Sequence, residues 1–495
     1  MNQALLSLDI GTTSMKALLF DVSGKEILTI EEKYPFQSPH PGWYEQDPQQ
    51  IWRATVQVLK QTAQQKPAGC QVMAIALACQ GSSLLPADEQ GEPVYPLITW
   101  MDQRAQGVVT RWREAGLEQK IFRRSGWLLD AGLPPAMMTW LRENQPAIFT
   151  RAERWLSLND FIALKLTGKF CTNQSCAAAM QLTDIHTAQW DEELCAMVGA
   201  RPEQFSPVFP ADHIIGEILP ELAHQTGLSV GIPVVNGGQD HSSEAVALGM
   251  IHAGDAWLGC GTAWVINAVV EQIDLDSVPE GLCLNYHNLP QRWIMSQLLG
   301  GLGASMEWLL DRLWRLDSAR GYRYEELTQA VEQTAPGSQD LLFVPLTGPG
   351  QIGQRYPYGG FGGLRTDHTN GAMTRAVMEG AGFELRWCLE RLAGAGMPLE
   401  QLWMIGGAAR SPIWPAILAD QTGLPVSITQ YKHGPALGVA ILAGLKLGLF
   451  DSVADARERF ALEARHFQPD LTHYAAYGRH FERYQQFVSA LAGLG

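Results

Sequence analysis

Three groups of residues have types and spacing suited to chemistry. The first lies in Ile232–Met250, read IPVVNGGQDHSSEAVALGM. An apolar run, Ile232–Val235, meets two glycines, then Gln239, Asp240 and His241. Ser242-Ser243-Glu244 follows as a helix-start pattern. A carboxylate delivered at the carboxyl end of a strand stands where open α/β sheets bind ligands. There it can take the proton of a substrate hydroxyl. Taken alone, Asp240 is more often a turn residue or a helix cap. The second group is Asp9 beside Gly11-Thr12-Thr13. A Gly-Thr hairpin aims N–H groups and hydroxyls at one point, which suits phosphate oxygens. Asp9 suits the water shell of Mg²⁺. Hairpins rich in Gly and Thr are also common without any ligand. The third group is Trp100, Asp102 and Arg104. A Trp face packs on the apolar face of a sugar, and Asp and Arg bond hydroxyls. The bland alternative is a salt-bridge pair and a core Trp.

These groups need elements to hold them. Ala4–Ile10, Met15–Phe20 and Glu26–Ile30 read as strands joined by turns. The loop Ser38–Pro48 leads into a helix from Gln49. Gln71–Ala78 is a buried strand, and Trp155–Gly168 reads as an amphipathic helix closed by Gly168. In Ala256–Val270, Leu258-Gly259-Cys260-Gly261-Thr262-Ala263 repeats the spacing of Leu8-Asp9-Ile10-Gly11-Thr12-Thr13. The two copies stand about half a chain apart, as expected of a duplication whose halves each open on a phosphate-cradling hairpin. Gly300-Gly301-Leu302-Gly303 precedes a helix. Strand Leu341–Pro345 enters a glycine-dense loop, Gly348–Gly363, and Thr374–Leu392 is helical. Strand Leu402–Ile405 runs into Gly406-Gly407-Ala408-Ala409-Arg410-Ser411, a turn on which a planar ligand can lie, or simply a tight turn. Gly434–Gly438 opens a small-residue helix. The polar end is helical, with Tyr474, Tyr477 and Tyr484 as anchors.

Composition narrows the class. A chain of 495 residues is long enough for two large domains. The hydrophobic fraction of 46% and charged fraction of 18% are those of a globular protein. Net charge is −15, and no basic patch speaks for nucleic acid. The eight cysteines lack metal-ligand spacing. The start, MNQALLSLDI, shows no signal peptide, and Gly438–Phe450 with its Lys446 is too short for a membrane span. A cytoplasmic setting is expected.

The constellation resembles the FGGY carbohydrate kinases, within the actin-like sugar kinases, over nearly the whole chain. The resemblance is carried by LDIGTTSMKALLFD, GWYEQDP, LNDFIALKLTGKFCTNQS, NGGQD, LGCGTAW, the segment Gly359–Glu379, IGGAARSPIW and HGPALGVA, in order. It implies an α/β fold of two actin-like (ribonuclease H-like) domains with a catalytic cleft between them. Residues 1–246 would carry the sugar and the first phosphate hairpin. Residues 247–495 would carry ATP, with the last helices packing back on the first domain. By position, Asp240 looks like the base that takes the sugar hydroxyl proton. Asp9, Gly11, Thr12, Thr13 and Lys16 look like the first phosphate site, with Asp9 acting through Mg²⁺ water. Gly261 and Thr262 look like the second hairpin. Gly301, Gly406, Gly407 and Ser411 look like nucleotide contacts. Gln80, Ser82, Trp100, Asp102, Arg104, Asp240 and His241 look like the sugar site.

The chain departs from the family pattern at Met137 ahead of Trp140, at Ala372, and at Gln80-Gly81-Ser82-Ser83, where xylulokinase-like members carry Gln-Met-His-Gly. The expectation is an ATP- and Mg²⁺-dependent kinase of a small sugar, foremost a pentulose, with gluconate, glycerol or another polyol as alternatives. A homodimer is usual in the family. A different class, an actin-like ATP-driven chaperone or filament protein, would have no use for Trp100, Asp102, Arg104 and Asp240 together. A catalytically idle sugar-binding regulator would be favoured by degraded Gly-Thr hairpins or a lost Asp240, and these are intact.

Overall fold

The computed structural model describes residues 3–316, 323–346, 359–429, 431–460 and 464–493. The loop expected at Gly348–Gly363 lies outside these residues up to position 358.

Two sheets share one plan. The first uses β1 (Gln3–Ile10), β2 (Ser14–Asp21), β3 (Glu26–Lys33), β4 (Gln71–Cys79), β5 (Ile214–Glu217) and β6 (Pro233–Gln239), in the order β5-β6-β4-β1-β2-β3. The second uses β7 (Ala256–Cys260), β8 (Trp264–Val270), β9 (Cys283–Tyr286), β10 (Trp293–Gly300), β11 (Leu402–Gly406), β12 (Val426–Thr429) and β13 (Ala464–Phe467), in the order β9-β10-β8-β7-β11-β12-β13. In each, an antiparallel meander leads back to a central strand, which then pairs in parallel with strands from later in its half. The repeated Gly-Thr motif therefore marks the same turn in two copies of one topology, the two-domain actin-like plan.

The central strands are apolar along their length because both sheet faces are covered. Helix α1 (Pro48–Gln65) lays Ile51, Val58 and Leu59 on one face of the first sheet. Its N-terminus is capped by Asp47, whose side chain accepts from Gln49 N. The other face is covered from the second half of the chain, by α6 (Gly434–Lys446) with Ala436, Leu437, Val439 and Ala440. Conversely α2 (Asp240–Leu248), which leaves β6, puts Ala245 and Leu248 against Trp257, Val269 and Ile405 of the second sheet. Helices α3 (Leu302–Trp308), α4 (Asn370–Gly394) and α5 (Trp414–Thr422) pack on that sheet's far face. Each half thus lends a helix to the other. The two lent helices meet where Gly438 lies on the Ser243 carbonyl: a Cβ there would come within 1.7 Å of that oxygen. Ser7 Oγ also donates to Ala436 O at 2.7 Å, tying α6 to β1.

Several local expectations shift. The strand that delivers Asp240 does not end at the glycines but runs through them to Gln239, and α2 begins at Asp240 itself. A register shift between Val235 and Gly238 absorbs the extra length, and Gly237 takes φ 68° with its Cα pressed on the Leu77 carbonyl. The helix expected from Trp155 starts at Leu158 under a Ser157–Asp160 capping box, and Trp155 belongs to a short strand. Tyr477 and Tyr484 of α7 (Leu471–Ala492) are fully buried, as expected of anchors. Tyr477 bonds Arg375 and Glu379 of α4. All eight cysteines are free. Among the described residues no helix is long and apolar enough to cross a membrane.

Candidate active site

The first hairpin forms one wall. Asp9 and Lys16 face each other across β1 and β2, with Lys16 Nζ 3.9 Å from Asp9 Oδ2. The turn is closed by Gly11 N on Ser14 O at 3.0 Å. It is pinned by the Tyr34 hydroxyl, which donates toward the Gly11 and Ser14 carbonyls. Tyr34 escaped the sequence reading because nothing in its neighbourhood marks its partner. Thr12 Oγ1 donates to Gln80 Oε1 at 2.8 Å and accepts from Trp100 Nε1 at 3.3 Å. Gln46 Nε2 holds the Thr12 carbonyl at 2.9 Å. Thr12, Gln80 and Trp100 therefore converge from three segments far apart in sequence. Trp100 is 43% exposed, rare for so large an apolar ring, and Gln80 Nε2 is buried without a partner among the described residues. An open aromatic face beside an unanswered donor fits a polyhydroxylated ligand.

The helix that begins at Asp240 adds three ionisable groups on its first turn and a half. Asp240 and Glu244, one turn apart, share a face. Asp9 lies in their field: burial pushes its carboxyl up, Lys16 pulls it down, and Asp240 and Glu244 push it further, to about 6. Burial and Asp240 likewise raise Glu244, against the pull of His241. For His241 burial favours the neutral ring, but Asp240 and Glu244 overcome it and hold the imidazole up at about 9. Its Nδ1 is 3.9 Å from Glu244 Oε2. Three carboxylates facing one lysine and one histidine leave the pocket short of positive charge. That fits a divalent cation bound through water beside Asp9.

Three sugar-contact assignments are corrected. The side chains of Asp102 and Arg104 are fully buried and spend their hydrogen bonds on protein. Arg104 Nε and Nη2 grip Asp102 in a fork at 2.8 Å each, and Nη2 also reaches Glu45 at 2.8 Å. Asp102 Oδ2 accepts from Tyr44 N at 2.7 Å, and the guanidinium packs against the edge-to-face pair Trp43 (4.0 Å) and Trp140 (5.2 Å). Asp102 and Arg104 brace the loop that presents Trp100. Ser82 is corrected in the same way. It turns into the left-handed region at φ 58°, and its hydroxyl donates to Ala179 O at 3.0 Å. The tight fit here is at Gly81, whose absent Cβ would stand 2.8 Å from Gln239 Nε2.

The second hairpin borders a cavity of about 380 Å³. Gly261, Thr262, Gly407 and Ser411 line it, so four of the expected nucleotide contacts come together. Gly301 and Gly406 do not line it. Gly301 is the N-cap of α3 and Gly406 packs on the Cys260 carbonyl. Gly303 does line it, and a Cβ there would strike Gly261 O at 2.0 Å. The side walls are Met306, Leu310, Leu327, Val331, Met378 and Trp414. None was singled out from sequence, because apolar residues at helical spacing read as core. This slot of glycine backbone and apolar side chains suits a planar base whose phosphates point toward the hairpins.

The comparisons agree with this architecture. The N-terminal domain of the FGGY family of carbohydrate kinases matches residues 4–247 and its C-terminal domain matches residues 258–447. The chain belongs to that family, and it is a carbohydrate kinase. It is 29% identical over 498 residues to the xylulose kinase of Escherichia coli strain K12, covering 99% of each chain. It is 28% identical over 470 residues to the gluconokinase of Bacillus licheniformis, covering 92% of this chain and 90% of the other. Its fold superposes on the xylulose kinase of Rhodospirillum rubrum with a TM-score of 0.92 at 24% identity over 99% of both chains.

Proposed function

We propose that the protein transfers the γ-phosphoryl group of ATP to a hydroxyl of a pentulose such as xylulose, with Asp240 as general base. The observation that carries this reading is the position of Asp240. It opens α2 at the end of β6, in the field of Asp9, with Gln80 packed beside the same strand end and Gln239 immediately before it.

Asp240 accepts the proton of the attacking hydroxyl as the oxygen closes on phosphorus. Trp100 stacks on the carbon face of the sugar, and Gln80 Nε2 donates to one of its oxygens. The nucleotide base lies in the apolar slot, and the backbone N–H groups of Thr12–Thr13 and Gly261–Thr262 receive the phosphates. A bound Mg²⁺, held through water by Asp9, would supply positive charge to the phosphate oxygens. Closing the cleft excludes water, which would otherwise compete as acceptor. The setting belonging to this reading is a cytoplasmic homodimer.

An aldonate is the second reading, favoured by the near-equal identity to xylulose kinases and gluconokinases. A coupled assay of ADP release against pentuloses, aldonates and polyols decides between them. The expected result is the highest kcat/KM with a pentulose. A preference for gluconate would move the assignment to the second reading, and no turnover with any substrate would overturn both.

A further inference from the structure

We propose that His241 is a catalytic residue that hydrogen-bonds the phosphoryl group in flight through Nε2–H, and that Glu244 is the positioning residue that orients it. The inference rests on the kinase reading above and gives His241 a different partner from the sugar.

The argument begins with spacing. Asp240, His241 and Glu244 occupy the first turn and a half of α2, so His241 and Glu244 are i, i+3 neighbours, and Asp240 and Glu244 are i, i+4 neighbours. Glu244 is held from behind. Its Cγ and Oε1 stand 3.0 Å from where Gly434, the first residue of α6, would carry a Cβ. Its Oε2 lies 3.9 Å from His241 Nδ1. At 3.9 Å the pair is a charge contact and not a hydrogen bond. Nδ1 is buried with no hydrogen-bond partner among the described residues. Glu244 therefore attracts the Nδ1 side of the ring by charge and leaves Nε2–H for a ligand.

The carbon between the two ring nitrogens shows which strand the ring lies against. His241 Cε1 lies 3.9 Å from the place a side chain on Gly259 would occupy. Gly259 is the counterpart of Asp9 in the repeated motif, two residues ahead of the Gly261-Thr262 turn. The ring thus stands in van der Waals range of the position which in the first half carries an acid, between the helix of the base and the strand of the second phosphate hairpin. It is 37% exposed there. A donor between base and phosphate cradle meets the group that passes from one to the other. In the transfer, the bond from the substrate oxygen to phosphorus forms as the bond to the departing nucleoside diphosphate breaks. The hydroxyl proton goes to Asp240. His241 gives up no proton and stabilises charge on a non-bridging oxygen. Glu244 extends the same device. Without it the ring is free to turn toward Asp240 and lose the phosphoryl oxygen.

The test is steady-state kinetics on the full chain for wild type, His241→Gln, Glu244→Gln and the double variant, with the best sugar from the panel. Nucleotide binding is read by calorimetry to confirm that each variant is folded. The expected result for His241→Gln is a fall in kcat of about 100-fold with both KM values within about threefold, the pattern of a contact made in the transition state. Glu244→Gln is expected to lower kcat about tenfold, and the double variant to match His241→Gln within about twofold, because Glu244 acts through His241. His241→Asn serves as a second probe if His241→Gln fails to bind nucleotide. A raised sugar KM with kcat intact would make His241 a sugar contact and overturn the proposal. Additive losses in the double variant would overturn the role of Glu244. A wild type that turns over sugar while His241→Gln keeps full kcat sinks this inference alone, whereas a wild type inactive on every sugar sinks the kinase reading beneath it.

Discussion

The two halves fold alike and line their hairpins unalike. Where the first hairpin carries Asp9 opposite Lys16, the second carries Gly259 opposite Val265. Around the first gather polar and aromatic groups, Gln80, Trp100 and Asp240. Around the second gather Met306, Leu310, Leu327, Met378 and Trp414. One topology thus supplies the same turn twice, and the side chains around each copy divide the work. In the proposed reading the first half takes the hydroxylated ligand and the charge, and the second takes the flat apolar base. The lent helices α2 and α6 make the halves interdependent, since each helix packs under the other half's sheet while its N-terminus borders the cleft.

The division can be broken most sharply at its support. Arg104→Ala would leave Asp102 and Glu45 buried without their cation, and is expected to cost about 3–5 kcal/mol in a chemical denaturation experiment. A variant of wild-type stability with only a raised sugar KM would restore Arg104 to the sugar site. The next effect concerns charge. Asp9 has a folded pKa raised to about 6 from 3.8, so the folded state holds that proton more tightly than the unfolded chain. The protonated acid is tolerated below about pH 4, and the cost of ionising it grows as pH rises toward 6. Ligand-free Asp9→Asn is therefore expected to match wild type near pH 4 and exceed it by about 3 kcal/mol at pH 7, at about 1.4 kcal/mol per pKa unit. A constant difference across that range would contradict the charge account. Smaller again, Ala408→Phe should crowd the base slot and weaken nucleotide binding about thirtyfold, near 2 kcal/mol, with sugar affinity unchanged. Trp100→Ala should do the reverse, raising sugar KM about tenfold, about 1.4 kcal/mol, and sparing nucleotide KM. Calorimetry with each ligand separately checks both, and loss of both ligands in either variant would argue against the division of labour.

Much of this was legible in the sequence. The apolar runs of β1, β4, β7 and β11 are long enough to demand covered sheet faces, and the Gly-Thr repeat alone marks the duplication. Asp240 follows from its strand and helix signals. What was not legible depends on which way a side chain faces. Asp102 and Arg104 are two residues apart on a loop, and only the fold shows that Glu45, Trp43 and Trp140 close over them. The slot walls come from segments between Met306 and Trp414, each with the periodicity of ordinary core. Glu244 reads as part of a helix start, and its approach to His241 and Gly434 appears only when α6 crosses under the first sheet.

The central claim is that Asp240 performs chemistry between two ligands that the halves bind without it. Asp240→Asn keeps the shape of the side chain and removes the base. Isothermal titration of this variant with sugar and with nucleotide, alongside a product assay, tests the claim directly. The account predicts affinities for both ligands within about threefold of wild type and a loss of turnover of about a thousandfold or more. Sustained turnover in Asp240→Asn with both ligands bound would contradict it.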